Sequence, residues 1–496
     1  MSTTPPTTRA GWLNCEHRTD QERCTAKSII CRKHLVEALK DGAELEHYLM
    51  CMYLYAALSL KRYPDEACTA AQVEVVRRWA SQIFMVARQE MEHLALVNGI
   101  FSAIGAPAYF IHSDDFQNRP LQSFQLNVHA DGGSGLEPKQ FAFSLDRFSP
   151  STMDTFSCVE SPPWDKVRDK PDEPCWCFLK PGENAAPALS ARRAFRHFSP
   201  PAAVPQANTL QAVEEAGAGT VVELYTAAEH AINTIPEDIL FAKPGNQVYV
   251  IAQYDIYVIP VTDRSSALEA IRLILHQGEG NLSDPAVTSH FDTFVRIRGD
   301  LNRMQHEDPK FDPALNLVAN PRPEAIPNEF TRDMLKVSAY SYGTMLMVLT
   351  AVYDHYVTTG SAQDVYPHFS EALFECVFAP MMTMVIRKQG EILTMLPTGR
   401  ANERTGPAFD IPADVKALLE SHQAGNGPEL TNIDTFVDRF EHLTEDVLAL
   451  VGRVNEIEDE VCRERVRQEL EFLHQNAYRM TNNLKLVYQQ GKFSQF

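Results

Sequence analysis

Glu90-Met91-Glu92-His93 sets a carboxylate and an imidazole three residues apart inside a long helical run, Ala71 to Ile104. Residues three apart share one face of a helix. Ile83, Val86 and Val97 fall on roughly the same stripe as Glu90, so both polar groups point into an apolar surface. Burying either without a partner costs on the order of several kcal/mol. A metal ion is one compensating partner, and Glu-x-x-His on a bundle helix is a ligand pattern of carboxylate di-metal sites. The motif alone is weak, because Glu and His fall three apart by chance in many helices.

The preceding helical run, His34 to Lys61, adds a second inward carboxylate. Glu44 shares its side with Glu37, Lys40 and Asp41, which reads as solvent. Glu46 shares its stripe with Leu39, Ala43, Met50 and Tyr53, which reads as core. One Glu from one helix and a Glu-x-x-His from the next make half of a di-metal site. An ion pair between Glu46 and an Arg or His of the bundle is the competing explanation. Tyr48, Tyr53 and Tyr55 beside it suit radical or stacking roles, but aromatic residues at helical spacing are more often plain core.

A second helix pair must supply the other half. In Ser265 to Gly280, Leu268, Ile271 and Leu275 set an apolar stripe that Glu279 continues, and His276 reaches the same space. After Asp284 and Pro285, sensible helix-start residues, His290 opens the next helical run. Imidazole and carboxylate suit iron, manganese or zinc, and no thiolate cluster here supports iron–sulfur chemistry.

The segments carrying these residues resemble a known family. They are Leu45 to Leu58, Ala87 to Pro107, Ala267 to Phe294 with its QGEG turn, Met381 to Gly399, and Thr405 to Pro412. The chain is similar to the ferritin-like family that includes the violacein-pathway iminophenylpyruvate dimer synthase. The resemblance implies a ferritin-like four-helix bundle with Glu46, Glu90, His93, Glu279 and His290 on ligand positions. It implies iron, in two ions, with manganese as the alternative. It further implies an oxidative enzyme of secondary metabolism that couples or oxidises an amino-acid-derived imine or 2-oxo acid. Two departures stand out. His276 occupies a position where the family leads one to expect Glu, and no Glu lies three residues before His290. A histidine at 276 would remove one negative charge from the ligand set. These departures leave a second reading open, a non-catalytic bundle that binds or scaffolds in a pathway.

The rest of the chain sets the frame. A mainly α fold is expected, with a mixed strand and loop insertion and extra C-terminal helices. The reading divides 496 residues into a polar arm at 1–32, a bundle at 33–305 with an insertion at about 105–218, a helical extension at 325–412, and a charged helical hairpin at 430–492. The insertion holds strand-like SFQLNVHA and QFAFSLDRF, and residues 399–430 read as linker. The hairpin either packs on the bundle or mediates a homo-oligomer, through a stripe of Ile457, Val461, Val466 and Leu470. A net charge of −20 disfavours nucleic acid and anionic membrane. No apolar run long enough to span a bilayer occurs, and no signal core is visible, so a cytoplasmic protein with reduced thiols is expected. A zinc site from Cys15, His17, Cys24 and Cys31 has spacings that match no familiar pattern. Nucleotide-binding glycine motifs and a GxSxG elbow are missing. Cys158 or Cys376 as nucleophile would need a placed His, and a haem, needing one axial His, leaves no spacing signature.

Overall fold

Two long helices form the spine. In the computed structural model α1 spans Arg32–Ser59 and α2 spans Ala70–Ala103. They pack along their length, and each buries the predicted stripe: Leu39, Ala43, Met50 and Tyr53 on α1, Ile83, Val86 and Val97 on α2. The turn between them contains Pro64, which cannot continue a helix that needs its N–H. Thr69 then restarts the chain with a capping box to Gln72. The structure describes residues 31–111, 125–129, 136–140, 143–160, 221–242, 258–279, 288–358, 377–378, 380–424 and 433–490, with Arg9 and Leu13.

Further helices close around this pair. β1 (Gln125–His129) and β2 (Leu136–Gln140) form an antiparallel hairpin, and α3 (Pro150–Val159) follows. Of the strand expected over QFAFSLDRF, Gln140 lies in β2 and the described residues 143–148 are not strand. Next come α4 (Val221–Thr234), α5 (Arg264–Glu279) and α6 (His290–Glu307). α5 packs on α2 and α4; α6 packs on α2, α3 and α5; α4 also packs on α1. The bundle expectation holds, with α3 as an unforeseen member.

The C-terminal part lies on the same core. α7 (Glu329–Thr358) packs on α2 and buries its apolar second half, Met345 to Tyr353, in large part. A π-helical turn, Met381–Ile386, runs into α8 (Arg387–Leu393). The stretch read as linker contains α9 (Ala413–Gln423), held to α7 by buried Val415 and Leu419. Its short apolar stripe is too brief to show periodicity in sequence. The hairpin is α10 (Ile433–Arg453) and α11 (Glu460–Gln490). It packs on this chain's own α7 and α8. Ile457, Val466 and Leu470 are buried as expected, but Val461 is 56% exposed, because it falls in the first turn of α11 and off the contact stripe.

Cys31 is disulfide-bonded, which corrects the expectation of reduced thiols and weighs further against the zinc set. A disulfide sulfur cannot serve as a zinc thiolate, and the thiols are not all reduced. Cys15, His17, Cys24 and Cys376 lie outside the described residues. No helix among the described residues is long and apolar enough to cross a membrane.

Candidate metal centre

The bundle core holds two overlapping groups of ligand-type residues: Glu46, Glu90 and His93, and Glu90, Glu160 and His290. Within each group the ligand atoms all lie within 4.8 Å of one another. All five side chains are at most 4% exposed. Glu90 belongs to both groups, as a bridging carboxylate would.

Each residue is placed by local structure. Glu46 projects from the buried stripe of α1, and Glu90 and His93 from that of α2. Ser289 caps α6 through a reciprocal capping box with Asp292, which fixes His290 as the first helical residue. Glu160 is the C-cap of α3, whose start is set by Ser149 accepting from Thr152 N–H and by Pro150 in the first turn.

The two groups are built alike. His93 Nδ1 lies 3.3 Å from Glu46 Oε2 and 3.2 Å from Glu90 Oε2. His290 Nδ1 lies 2.8 Å from Glu90 Oε1 and 3.6 Å from Glu160 Oε2. Each ring's other nitrogen meets an amide oxygen: His93 Nε2 meets Gln277 Oε1 at 2.8 Å, and His290 Nε2 meets Gln89 Oε1 at 3.1 Å. An amide oxygen only accepts, so it selects the tautomer with the proton on Nε2 and leaves Nδ1 turned to the carboxylates. Each outer carboxylate also receives a phenol: Tyr225 donates to Glu46 Oε1 at 2.5 Å, and Tyr53 donates to Glu160 Oε1. The two imidazoles stack with centroids 5.5 Å apart.

Electrostatics follow from burial. Burial pushes the Glu46 carboxyl up to about 8 despite the imidazole of His93. Burial and the charge of Glu90 push Glu160 up as well. Burial opposes the charge on Glu90 too, but His290 and His93 outweigh it and hold that carboxyl well below its usual range. Burial works against the imidazolium of His290, yet Glu90 and Glu160 raise it to about 9; His93, opposed in the same way, is held well above its ordinary value by Glu46 and Glu90. Protons thus stand where a cation would.

The donor set fits a metal. Three carboxylates and two Nδ1 atoms converge, of the hard and borderline type that iron and manganese take. Glu90 Oε1 and His290 Nδ1 are buried and close, yet neither makes a directed hydrogen bond among the described residues. Cations sit roughly 2.0–2.2 Å from such atoms, which the spacing within each group accommodates.

Of the residues singled out in sequence, Glu46, Glu90, His93 and His290 come together. His276 is half-buried in the last turn of α5 and belongs to neither group; its neighbour Gln277 makes the contact instead. Glu279 ends α5, and its side chain lies outside the described positions. Glu160, Gln89, Gln277 and Tyr225 were missed. Tyr48 and Tyr55 are core, stacking on Phe143 and donating to the Val318 carbonyl, whereas Tyr53 reaches the site.

The chain is 24% identical to dichlorochromopyrrolate synthase of Lentzea aerocolonigenes over 462 residues, covering 84% of this chain and 39% of that protein. It is 25% identical to 2-imino-3-(indol-3-yl)propanoate dimerase of Chromobacterium violaceum over 408 residues, covering 78% of this chain and 35% of that protein. The chain therefore spans well under half the length of these curated relatives. A ferritin-like protein from Caulobacter vibrioides aligns with 73% of this chain and 93% of its own, at 16% identity and a TM-score of 0.39. The family model described as Ferritin-like matches residues 39–299, more than half of the sequence and all five converging ligand-type residues, and the chain belongs to that family.

Proposed function

We propose that this chain is a metal-dependent oxidative enzyme of secondary metabolism, acting on an amino-acid-derived imine or 2-oxo acid. The carrying observation is that Glu90 belongs to both groups of ligand-type residues, an arrangement that suits two neighbouring ions. Glu46 with His93 would hold one, Glu160 with His290 the other, and Glu90 would join them. Iron held there supplies redox chemistry, with dioxygen or peroxide as electron acceptor. Joining two substrate carbons removes two electrons and two protons, which that acceptor takes up.

The chain's own residues prepare the centre. Tyr53 and Tyr225 orient the outer carboxylates, and Gln89 and Gln277 hold both imidazoles in the Nδ1-presenting tautomer. Phe156 and Phe294 pack against Tyr53 and keep that side dry. The relatives' names include an indolyl imino acid and a chromopyrrolate, and an aryl 2-imino acid is the substrate class we extend to this chain. Glu160 supplies a carboxylate beside His290, whose absence in sequence was one of the two departures that favoured a scaffolding role.

The test is metal analysis together with oxygen uptake, using an aryl 2-oxo acid and ammonium to form the imine in solution. About two equivalents of iron per chain are expected, with uptake that disappears in Glu90→Ala. A folded protein that takes up neither metal nor oxygen would leave the scaffolding reading.

A further inference from the structure

A cavity of about 890 Å³ lies beside the α1–α2 pair. Its wall on α1 includes His47, Met50 and Leu54, and on α2 Phe84, Met91 and Leu94. None of the five converging ligand-type residues lines it. On α2 its residues occupy the helix face turned away from Glu90 and His93. Further lining comes from α7, through Met345 and Leu349, from Phe378, and from the π-helical turn, through Met382. The size falls within the roughly 300–1,000 Å³ of small-molecule sites. Thioethers and aromatic rings together favour a flat aromatic body, since sulfur and ring faces both make favourable contacts with π systems.

The charges around this cavity run against those of the chain. Among the described lining residues Arg62, Arg77, Arg88, Arg387 and Lys388 outnumber Glu391 and Glu469, which pair with Lys388 and, through Glu391, with Arg387, so a net positive charge remains. The protein as a whole carries −20. Arg387 is 58% exposed beside exposed Met85 and Thr383, which marks the mouth. Such a local excess of cations in an acidic protein concentrates anions at one opening. A buried polar floor, where His47 and Cys51 meet Tyr342, closes the inner end.

We propose that this cavity is a second ligand site, separate from the metal centre, for an aromatic carboxylate whose ring enters among the methionines and whose anionic group stays at the arginine mouth. The site does not depend on the functional reading above. Its probe is 1-naphthaleneacetate, titrated into the full chain and followed by calorimetry, beside the neutral 1-naphthaleneacetamide. Saturable binding of one acetate per chain is expected, about tenfold tighter than the amide, the worth of one charge-assisted hydrogen bond. Arg387→Glu, at an exposed position, should remove that preference while leaving the amide unaffected. Met345→Trp fills the cavity and should abolish binding of both. Glu90→Ala should leave binding as in the parent, even where it empties the metal centre. Absence of saturable binding, equal affinity for acid and amide, or loss of binding in Glu90→Ala would each overturn the proposal. If Met345→Trp fails to fold, the Arg387→Glu comparison alone decides.

Discussion

The two groups of ligand-type residues reach the same arrangement from unlike supports. Glu46, Glu90 and His93 stand in the middle of helices of 28 and 34 residues, where packing along the whole α1–α2 contact fixes them. Glu160 and His290 stand at helix ends, one capping α3 and the other opening α6. Yet each group ends with a carboxylate, an Nδ1 atom, a phenol on the carboxylate and an amide on Nε2. Convergence of side-chain roles therefore matters more for this centre than regular placement along helices.

The largest expected effect breaks both groups at once. Glu90→Ala should lower iron from about two equivalents to near zero, because both ions lose a ligand. The variant should stay helical by circular dichroism. Retention of both ions would show that Glu90 does not bridge.

Glu160→Ala separates the groups. It should leave about one equivalent, held by Glu46, Glu90 and His93. Elemental analysis at matched protein concentration measures it, and an unchanged metal content would place α3 outside the centre.

The amides sharpen the comparison further. Gln277→Leu and Gln89→Leu should each weaken metal affinity 10- to 100-fold, the usual size for an outer partner of a ligating His. Glutamate at either position should restore affinity, because it still accepts from Nε2. If leucine is harmless at one position only, the likeness between the groups is superficial.

The smallest effect concerns position 276. A histidine in the ligand set would make His276→Glu add charge and favour a second ferric ion. With His276 outside both groups, iron stoichiometry and the ferric absorption spectrum under air should match the parent. A changed spectrum would return position 276 to the ligand set.

These differences also explain what the sequence made legible. Glu46, Glu90 and His93 announce themselves because long amphipathic helices repeat, and a polar residue on an apolar stripe stands out. His290 was found beside a helix start, but its carboxylate was sought three residues earlier on the same helix, where Ala286, Val287 and Thr288 stand. Glu160 comes instead from a ten-residue helix within a stretch read as strand and loop. A signal existed there: Ser149-Pro150 is a good helix start, and Met153, Phe156 and Glu160 share a face. What sequence could not give is the pairing of α3 with α6, which only tertiary packing decides. Tyr225 and Gln277 were hidden for the same reason, because hydrogen bonds across 179 and 184 residues leave no local pattern.

A helix as short as α3 is marginal on its own, since isolated helices below roughly 12–15 residues seldom persist in water. Its C-cap residue, Glu160, belongs to the second group of ligand-type residues. Occupancy and local folding of this segment thus become one equilibrium, because anything that binds only the ordered form holds it in place. If the centre holds iron as proposed, chain starved of it would present α3 as a point of unravelling and of attack by proteases. Turnover of the protein inside its host would then report on metal supply, with scarce iron thinning the population of idle copies.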